Sequence, residues 1–286
     1  MTPTASGPVL ITGCSSGIGR ATAIRLARGG WTVYAMARKP DSIADLADHG
    51  CRLLALDVTD HDSMRAAVGA IEDAEGAVGA LVNNAGYGLH GAIETTTLAE
   101  ARTQFDTNFF GLVALTQMVL PGMRGQRRGR VVNMSSMGGR LTFPGGGFYH
   151  ASKHALEAFS DALRYEVAPF GIHVVVIEPG LIKTEFGKAA VDTIDNSGGD
   201  GSPYDAFNQE VMKKIHGVYE GPMSRLAASP DAVAKTVEKA LTAKSPKTRY
   251  RVTAGARVLL ATRRLLPDRA FDAMLRRQYP SPGARG

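Results

Sequence analysis

The sequence predicts a doubly wound α/β fold, a parallel sheet with helices on both faces. Three observations carry this. Short runs of β-branched and other apolar residues recur along residues 9–177. Stretches with helical apolar spacing separate them. A glycine-rich turn follows the first run and opens the first helical stretch.

Val9-Leu10-Ile11 reads as the first strand, residues 32–37 as the second and residues 52–56 as the third. Ala80-Leu81-Val82, Val131-Val132-Asn133-Met134 and Val174-Val175-Val176-Ile177 follow. These runs do not alternate apolar with polar, which suits strands covered on both faces. Helical patterns lie at residues 18–28, 63–73, 99–123 and 151–168. Strand–helix alternation of this kind gives right-handed crossovers and a parallel sheet.

One domain, 1–286, is expected, with a core at 7–187. After Gly187 the strand–helix pattern breaks. Asn196-Ser197-Gly198-Gly199-Asp200-Gly201-Ser202-Pro203 is loop by composition. Tyr204, Phe207, Val211, Ile215 and Val218 then recur at helical spacing. Residues 188–225 therefore read as a helical lid over a substrate or as an ordinary surface helix. Residues 229–286 form a helical extension, with two patterns between 257 and 277 split by Pro267.

Composition excludes several classes. Hydrophobic residues make up 44% and charged residues 21% of 286, the balance of a folded globular chain. Two cysteines, Cys14 and Cys51, cannot build a disulfide framework or fill a zinc site. The histidines lack ligand spacing, so no metal is expected. No apolar stretch of about 18 residues and no secretory leader is visible, and a cytoplasmic location is expected. The charge is uneven: residues 244–286 carry 11 basic and 2 acidic groups, a net +9, against −3 for the rest. A near-neutral body with a basic tail argues against a nucleic-acid binder. The tail suits a solvated cap, a contact for anionic lipid or a subunit interface, and docking of its apolar face onto the body is the favoured use.

Thr12-Gly13-Cys14-Ser15-Ser16-Gly17-Ile18-Gly19 joins the first strand to the first helix. Glycines there permit a tight turn and let backbone N–H groups approach a pyrophosphate, and the helix N-terminus adds partial positive charge. The second strand ends in Met36-Ala37-Arg38-Lys39. A carboxylate at that point would bind a ribose hydroxyl, whereas Arg38 can bond a phosphate. NADP(H) is therefore favoured over NAD(H). The alternative is that Arg38 and Lys39 are solvated turn residues. Asp57 and Val58 end the third strand, where an adenine would lie.

Tyr149 and Lys153 stand four residues apart in a helical pattern and share a face. A free phenol titrates near pH ~10, too high for acid/base work at neutral pH, and a neighbouring ammonium stabilises the phenolate. Ser136 lies thirteen residues before Tyr149, at the end of the fifth strand. Asn83-Asn84-Ala85-Gly86 ends the fourth strand, and Pro179-Gly180, followed by Thr184, ends the sixth. Asn108 sits inside the long helix between. In an open α/β sheet these strand ends share one rim, where ligands bind.

This combination resembles the short-chain dehydrogenase/reductase family over roughly residues 8–190, in the style of its steroid- and retinol-type members. The resemblance implies a Rossmann-type domain and gives the residues roles. Tyr149 is the general acid/base, Lys153 assists it and holds the nicotinamide ribose, and Ser136 orients the substrate oxygen. Ser135 is the competing serine. Asn108 anchors a water of the proton relay. Gly13, Ser15, Ser16, Gly17, Ile18 and Gly19 cradle the pyrophosphate. Asn84, Ala85, Gly86, Pro179, Gly180, Ile182 and Thr184 line the rest of the cofactor site, while Asn83 locks the sheet. Pairing into a homodimer or homotetramer is expected through residues 99–123 and 151–168.

The expected activity is interconversion of a carbonyl and an alcohol on an apolar small molecule, since Met137, Leu141, Phe143 and Phe148 crowd the segment before Tyr149. The rivals are a catalytically idle NADP(H)-binding sensor and a membrane or nucleic-acid adaptor using the tail. His150, His154 and Cys14 read as packing or surface groups.

Overall fold

The structure, a computed structural model, describes residues 7–195, 201–219 and 227–279. Its strands are β1 (Val9–Ile11), β2 (Val33–Ala37), β3 (Arg52–Ala55), β4 (Ala80–Asn83), β5 (Gly129–Met134), β6 (Ile172–Glu178) and β7 (Arg249–Arg251). They form one sheet in the order β3-β2-β1-β4-β5-β6-β7, with every neighbouring pair parallel. The helices are α1 (Gly17–Arg28), α2 (His61–Glu75), α3 (Leu98–Phe105), α4 (Gly111–Gly125), α5 (Gly147–Val167), α6 (Phe186–Asp195), α7 (Asp205–Tyr219), α8 (Pro230–Thr242), α9 (Ala254–Leu265) and α10 (Asp268–Arg276).

The pleat divides the core in two. Val9, Ile11, Val33, Ala35, Val132 and Val175 face α1 and α8, where Leu26, Val237 and Leu241 bury. Their neighbours Leu10, Tyr34, Met36, Val131 and Val174 face α2, α4 and α5, against Ile71, Leu115 and Leu163. Burial on both faces removes any reason for polar alternation, which is why the strands read as continuous apolar runs. β3 departs from that expectation: it is an edge strand, half-exposed along its length.

The observed elements correct the sequence expectations in four places. The helix expected at 99–123 runs from α3 to α4 through one π turn, Asp106–Phe110. The helix expected from residue 151 starts at Gly147. The break expected after Gly187 is occupied by α6. β7 was not foreseen, because Arg-Tyr-Arg carries no apolar run, yet it pairs with Val176, Ile177 and Glu178 at the sheet edge. Of the expected loop, residues 196–200 lie outside the described residues, as do residues 220–225 of the expected lid, residue 226 and the tail beyond 279. The side chain of Val218 lies outside them too.

From β1 the chain steps outward to β3, then crosses back to β4 beside β1. Neighbouring crossovers leave the sheet in opposite directions there, and a crevice opens at the carboxyl ends of the strands. Among the described residues no helix is long and apolar enough to cross a membrane, and no cluster could hold a metal ion.

Candidate active site

A cleft of about 1360 Å³ runs along that crevice. One end is the glycine turn between β1 and α1. Gly13 and Gly17 have φ of +70° and +56°, which side chains with a Cβ rarely adopt. A Cβ at Gly13 would stand 2.9 Å from the Ala85 Cα. The turn is clamped to β4: Thr12 Oγ1 accepts from the backbone N–H groups of Asn84 (3.0 Å) and Ala85 (2.9 Å). Asn84 Nδ2 donates back to the carbonyls of Thr12 (2.9 Å) and Gly13 (3.1 Å). The first turn of α1 has no side-chain cap and no acidic residue, so its N–H groups point at the cleft without internal partners. This cradle fits the pyrophosphate of a dinucleotide, with Ser15, Ser16, Gly17 and Ile18 on its wall.

Farther along lie Arg38, Asp57 and Val58, then Asn84, Ala85 and Gly86. Burial raises the Asp57 pKa, but hydrogen bonds from Thr59 and the charge of Arg38 outweigh it and hold the carboxyl below its ordinary value. Pro179, Gly180, Ile182 and Thr184 form the opposite wall.

Two expected residues, Gly19 and Asn108, stand just behind the lining of the cleft. Gly19 lies under the turn, not on its surface: a Cβ there would fall 2.3 Å from the Gly13 carbonyl oxygen, so its contribution is close packing. Asn108 is buried behind the wall in the π turn. Its Oδ1 accepts from Tyr87 N (3.0 Å), and its Nδ2 donates to Tyr87 O (2.9 Å) and Ser152 Oγ (3.3 Å). Those bonds explain a polar residue inside an otherwise helical run. Asn108 still meets Lys153 at one point. The vacant Cβ position of Gly86 is 3.0 Å from Asn108 Oδ1 and 3.7 Å from Lys153 Nζ.

Tyr149 and Lys153 lie on the cleft side of α5, both buried. Lys153 Nζ stands 6.0 Å from the centre of the Tyr149 ring and donates to Met134 O at 2.9 Å. Burial brings the Lys153 pKa down to about 8, and the negative charge of Glu157 opposes the fall. Ser136 is half-buried, and its Oγ accepts from Gly138 N at 3.0 Å. Ser135, the competing serine, is buried and also borders the cleft. Asn83 donates to Thr116 Oγ1 (3.0 Å) and Asn133 Oδ1 (2.9 Å), inside the sheet and off the cleft. Cys14 is fully buried, its thiol pushed up to about 12 mainly by burial.

The cleft's outer end mixes apolar side chains with Glu210, Lys213 and Lys214 of α7 and with Gln278. Val211 and Ile215 of α7 line it with Leu259 of α9 and Met274 of α10. Met137 and Phe143 reach it as well, whereas Leu141 and Phe148 turn away from it. Sequence reasoning missed His90 and His150, which flank Tyr149 with ring centres 5.7 Å and 5.4 Å from its own. It also missed Phe186, at 5.5 Å. Position along α5 would have placed His150 off Tyr149's face. The only signal was the local density of glycine, discussed below.

Comparisons with known proteins agree with this fold. The sequence profile of the short chain dehydrogenase family matches residues 8–195. The chain is 39% identical over 276 residues to a 3-ketodihydrosphingosine reductase of Bacteroides thetaiotaomicron, covering 95% of this chain and 97% of the relative. It is 35% identical over 274 residues to an NADPH-dependent 3-dehydrocapnine reductase of Ornithobacterium rhinotracheale, covering 92% and 94%. The crystal structure of a short-chain dehydrogenase from Streptomyces avermitilis superposes with a TM-score of 0.79 at 33% identity, over 96% of each chain.

Proposed function

The chain belongs to the short chain dehydrogenase family, an oxidoreductase family, and from that premise we propose an NADP(H)-dependent enzyme that interconverts a carbonyl and an alcohol on an apolar small molecule. The observation that carries the reading is convergence. Tyr149, Lys153 and Ser136 share one cleft with a glycine cradle at its other end. A sensor would need the cradle alone.

A bound nicotinamide dinucleotide supplies or takes up the hydride. This chain's residues do the rest. Gly13, Gly17 and the N-terminus of α1 hold the pyrophosphate, and Arg38 pairs with a 2′-phosphate on the adenine ribose. Ser136 Oγ orients the substrate oxygen. Tyr149 Oη gives that oxygen its proton in reduction and removes it in oxidation. Lys153, held on the Met134 carbonyl, keeps a positive charge beside the phenol. Asn108 fixes the Tyr87 backbone and closes the space behind Gly86. The apolar side chains of the outer wall, Val211, Ile215, Leu259 and Met274, and the two relatives named as reductases of 3-keto and 3-dehydro compounds support a ketone with an apolar part.

Turnover of a panel of straight-chain ketones with NADPH, followed at the nicotinamide absorbance, tests this. Tyr149→Phe is expected to lower kcat/KM by about 10²–10⁴-fold, the range of a lost general acid. Equal turnover by wild type and variant would refute the assignment of Tyr149. Arg38→Asp is expected to raise KM for NADPH and lower it for NADH. An unchanged preference would remove Arg38 from the phosphate site.

A further inference from the structure

His90 and His150 both pack against Tyr149 in the cleft wall. His90 stacks on Tyr149, with ring planes 29° apart, and His150 leans on it with planes 59° apart, backed by Phe143 at 5.9 Å. Both rings line the cleft. Glycines make the room. A Cβ at Gly138 would fall 2.4 Å from His150 Nδ1, and one at Gly146 would fall 2.7 Å from His150 Nε2 and 3.6 Å from His90 Cδ2. One at Gly88 would fall 2.7 Å from His90 Cε1.

The loop carrying His90 is fixed on every side. Its own N–H donates to Thr193 Oγ1 of α6 at 3.0 Å. The N–H groups of Leu89 and Ala92 donate to Gln104 Oε1 (2.6 Å) and Asn208 Oδ1 (3.0 Å), and that of Gly91 donates to the Gly145 carbonyl (2.8 Å). The ring's place beside Tyr149 is therefore set by α3, α6 and α7 together.

The rings are short of partners. Burial keeps both imidazoles neutral, pulling the His150 pKa down to about 4, and a neutral imidazole retains one lone pair. His150 Nδ1 meets the Gly138 carbonyl at 3.1 Å and must donate to it, which leaves Nε2 as an acceptor. Nδ1 of His90 is buried against the Gly88 carbonyl, which favours a proton there and leaves Nε2 as the acceptor. Two neutral acceptors thus stand where the surrounding wall is Phe143 and Phe186. Polar groups placed in an apolar wall without a protein partner mark where a ligand's own polar group is read.

We propose that His90 and His150 form a polar subsite beside Tyr149 that accepts hydrogen bonds from a hydroxyl or amino group on the carbon next to the substrate carbonyl. The proposal rests on the reading of Tyr149 as the proton donor. A carbonyl oxygen at Tyr149 Oη brings its neighbouring carbon to the rings stacked on that phenol. The substrate class is then an amphiphilic ketone: a donor group beside the carbonyl, and an apolar remainder lying toward Val211, Ile215 and Met274.

Three ketones of equal length test it with NADPH: a straight-chain methyl ketone, and the same ketone with a hydroxyl or an amine on the adjacent carbon. Wild type is expected to prefer at least one substituted ketone by about tenfold in kcat/KM, the worth of one neutral hydrogen bond. His90→Phe, which keeps the stack on Tyr149, and His150→Leu are each expected to bring that ratio toward one, and His150→Gln to restore part of it. A wild-type ratio near one, or an unchanged ratio in both variants, overturns the proposal. Imidazole NMR signals give a second readout, independent of turnover. Those of His90 and His150 are expected to shift with a substituted ketone and not with the plain one. Shifts without reduction of any ketone would defeat the assigned reaction and keep the subsite. Reduction without preference or shifts would do the reverse.

Discussion

His150 follows Tyr149 directly, and its buried ring has a consequence for stability. The folded protein holds it neutral down to about pH 4, whereas the unfolded chain takes up a proton near the ordinary value of 6.5. Between those values the unfolded state binds more protons, so stability increases with pH. The contribution is complete above about pH 6.5 and is lost as the pH falls toward 4, by at most about 3 kcal/mol. His90, lowered in the same direction by burial, adds to the slope. Urea unfolding at about pH 7 and about pH 5 is expected to show this loss, with a shallower pH dependence in His150→Leu. Lys153 behaves oppositely in range. Its pKa of about 8 means that stability rises with pH only between there and its ordinary 10.5.

Among the elements, β7 has the least local reason to exist and the clearest tertiary one. Arg249 Nε donates to Glu157 Oε2 at 2.9 Å and lies 3.3 Å from Glu178 Oε1, while its Nη2 donates to Asp161 Oδ2 at 2.6 Å. Arg251 donates to the other oxygen of Glu178 at 3.1 Å. Glu178 is fully buried and Glu157 nearly so. Burial, then the charge of Glu157, pushes the Glu178 pKa up, and the two arginines pull against it. The short strand thus ties the C-terminal extension to α5, one turn beyond Lys153. Arg249→Leu leaves two buried carboxyl groups facing each other and is expected to cost about 3–5 kcal/mol. Calorimetry is expected to show this as a fall in Tm on the order of 10 °C.

At the scale of the whole molecule, the sheet order sets the cleft and the surface suggests the partner. Phe110 is 57% exposed where the π turn enters α4, and Leu98 and Tyr165 stand out from α3 and α5. Large apolar groups left outward on adjacent helices are unusual for a monomer's surface. A homodimer through the α4 and α5 faces would cover them with a self-complementary contact. Light scattering is expected to find a dimer or tetramer in wild type and a raised monomer fraction in Phe110→Glu. An unaltered mass in that variant would place the interface elsewhere.

How much was legible follows from where each signal resides. Six strands, the glycine turn and the Tyr149–Lys153 pair are local patterns, continuous apolar runs, glycines in a short turn or fixed spacing, and so one chain suffices to read them. So does Gly13, because positive φ is a property of its own backbone. By contrast, Gly19 looked like a cofactor contact, and only the packing shows that it serves Gly13, while Gly86, on the cleft wall, also gives Asn108 and Lys153 their space. β7 exists because buried carboxylates on α5 and β6 need cations. His90 and His150 meet Tyr149 from a loop and a helix sixty residues apart in sequence. Short-range geometry along the chain therefore determined the framework of the fold and the glycine turn at the cleft. Burial and long-range contact, which depend on every element at once, decided the charge states and the shape of the substrate wall.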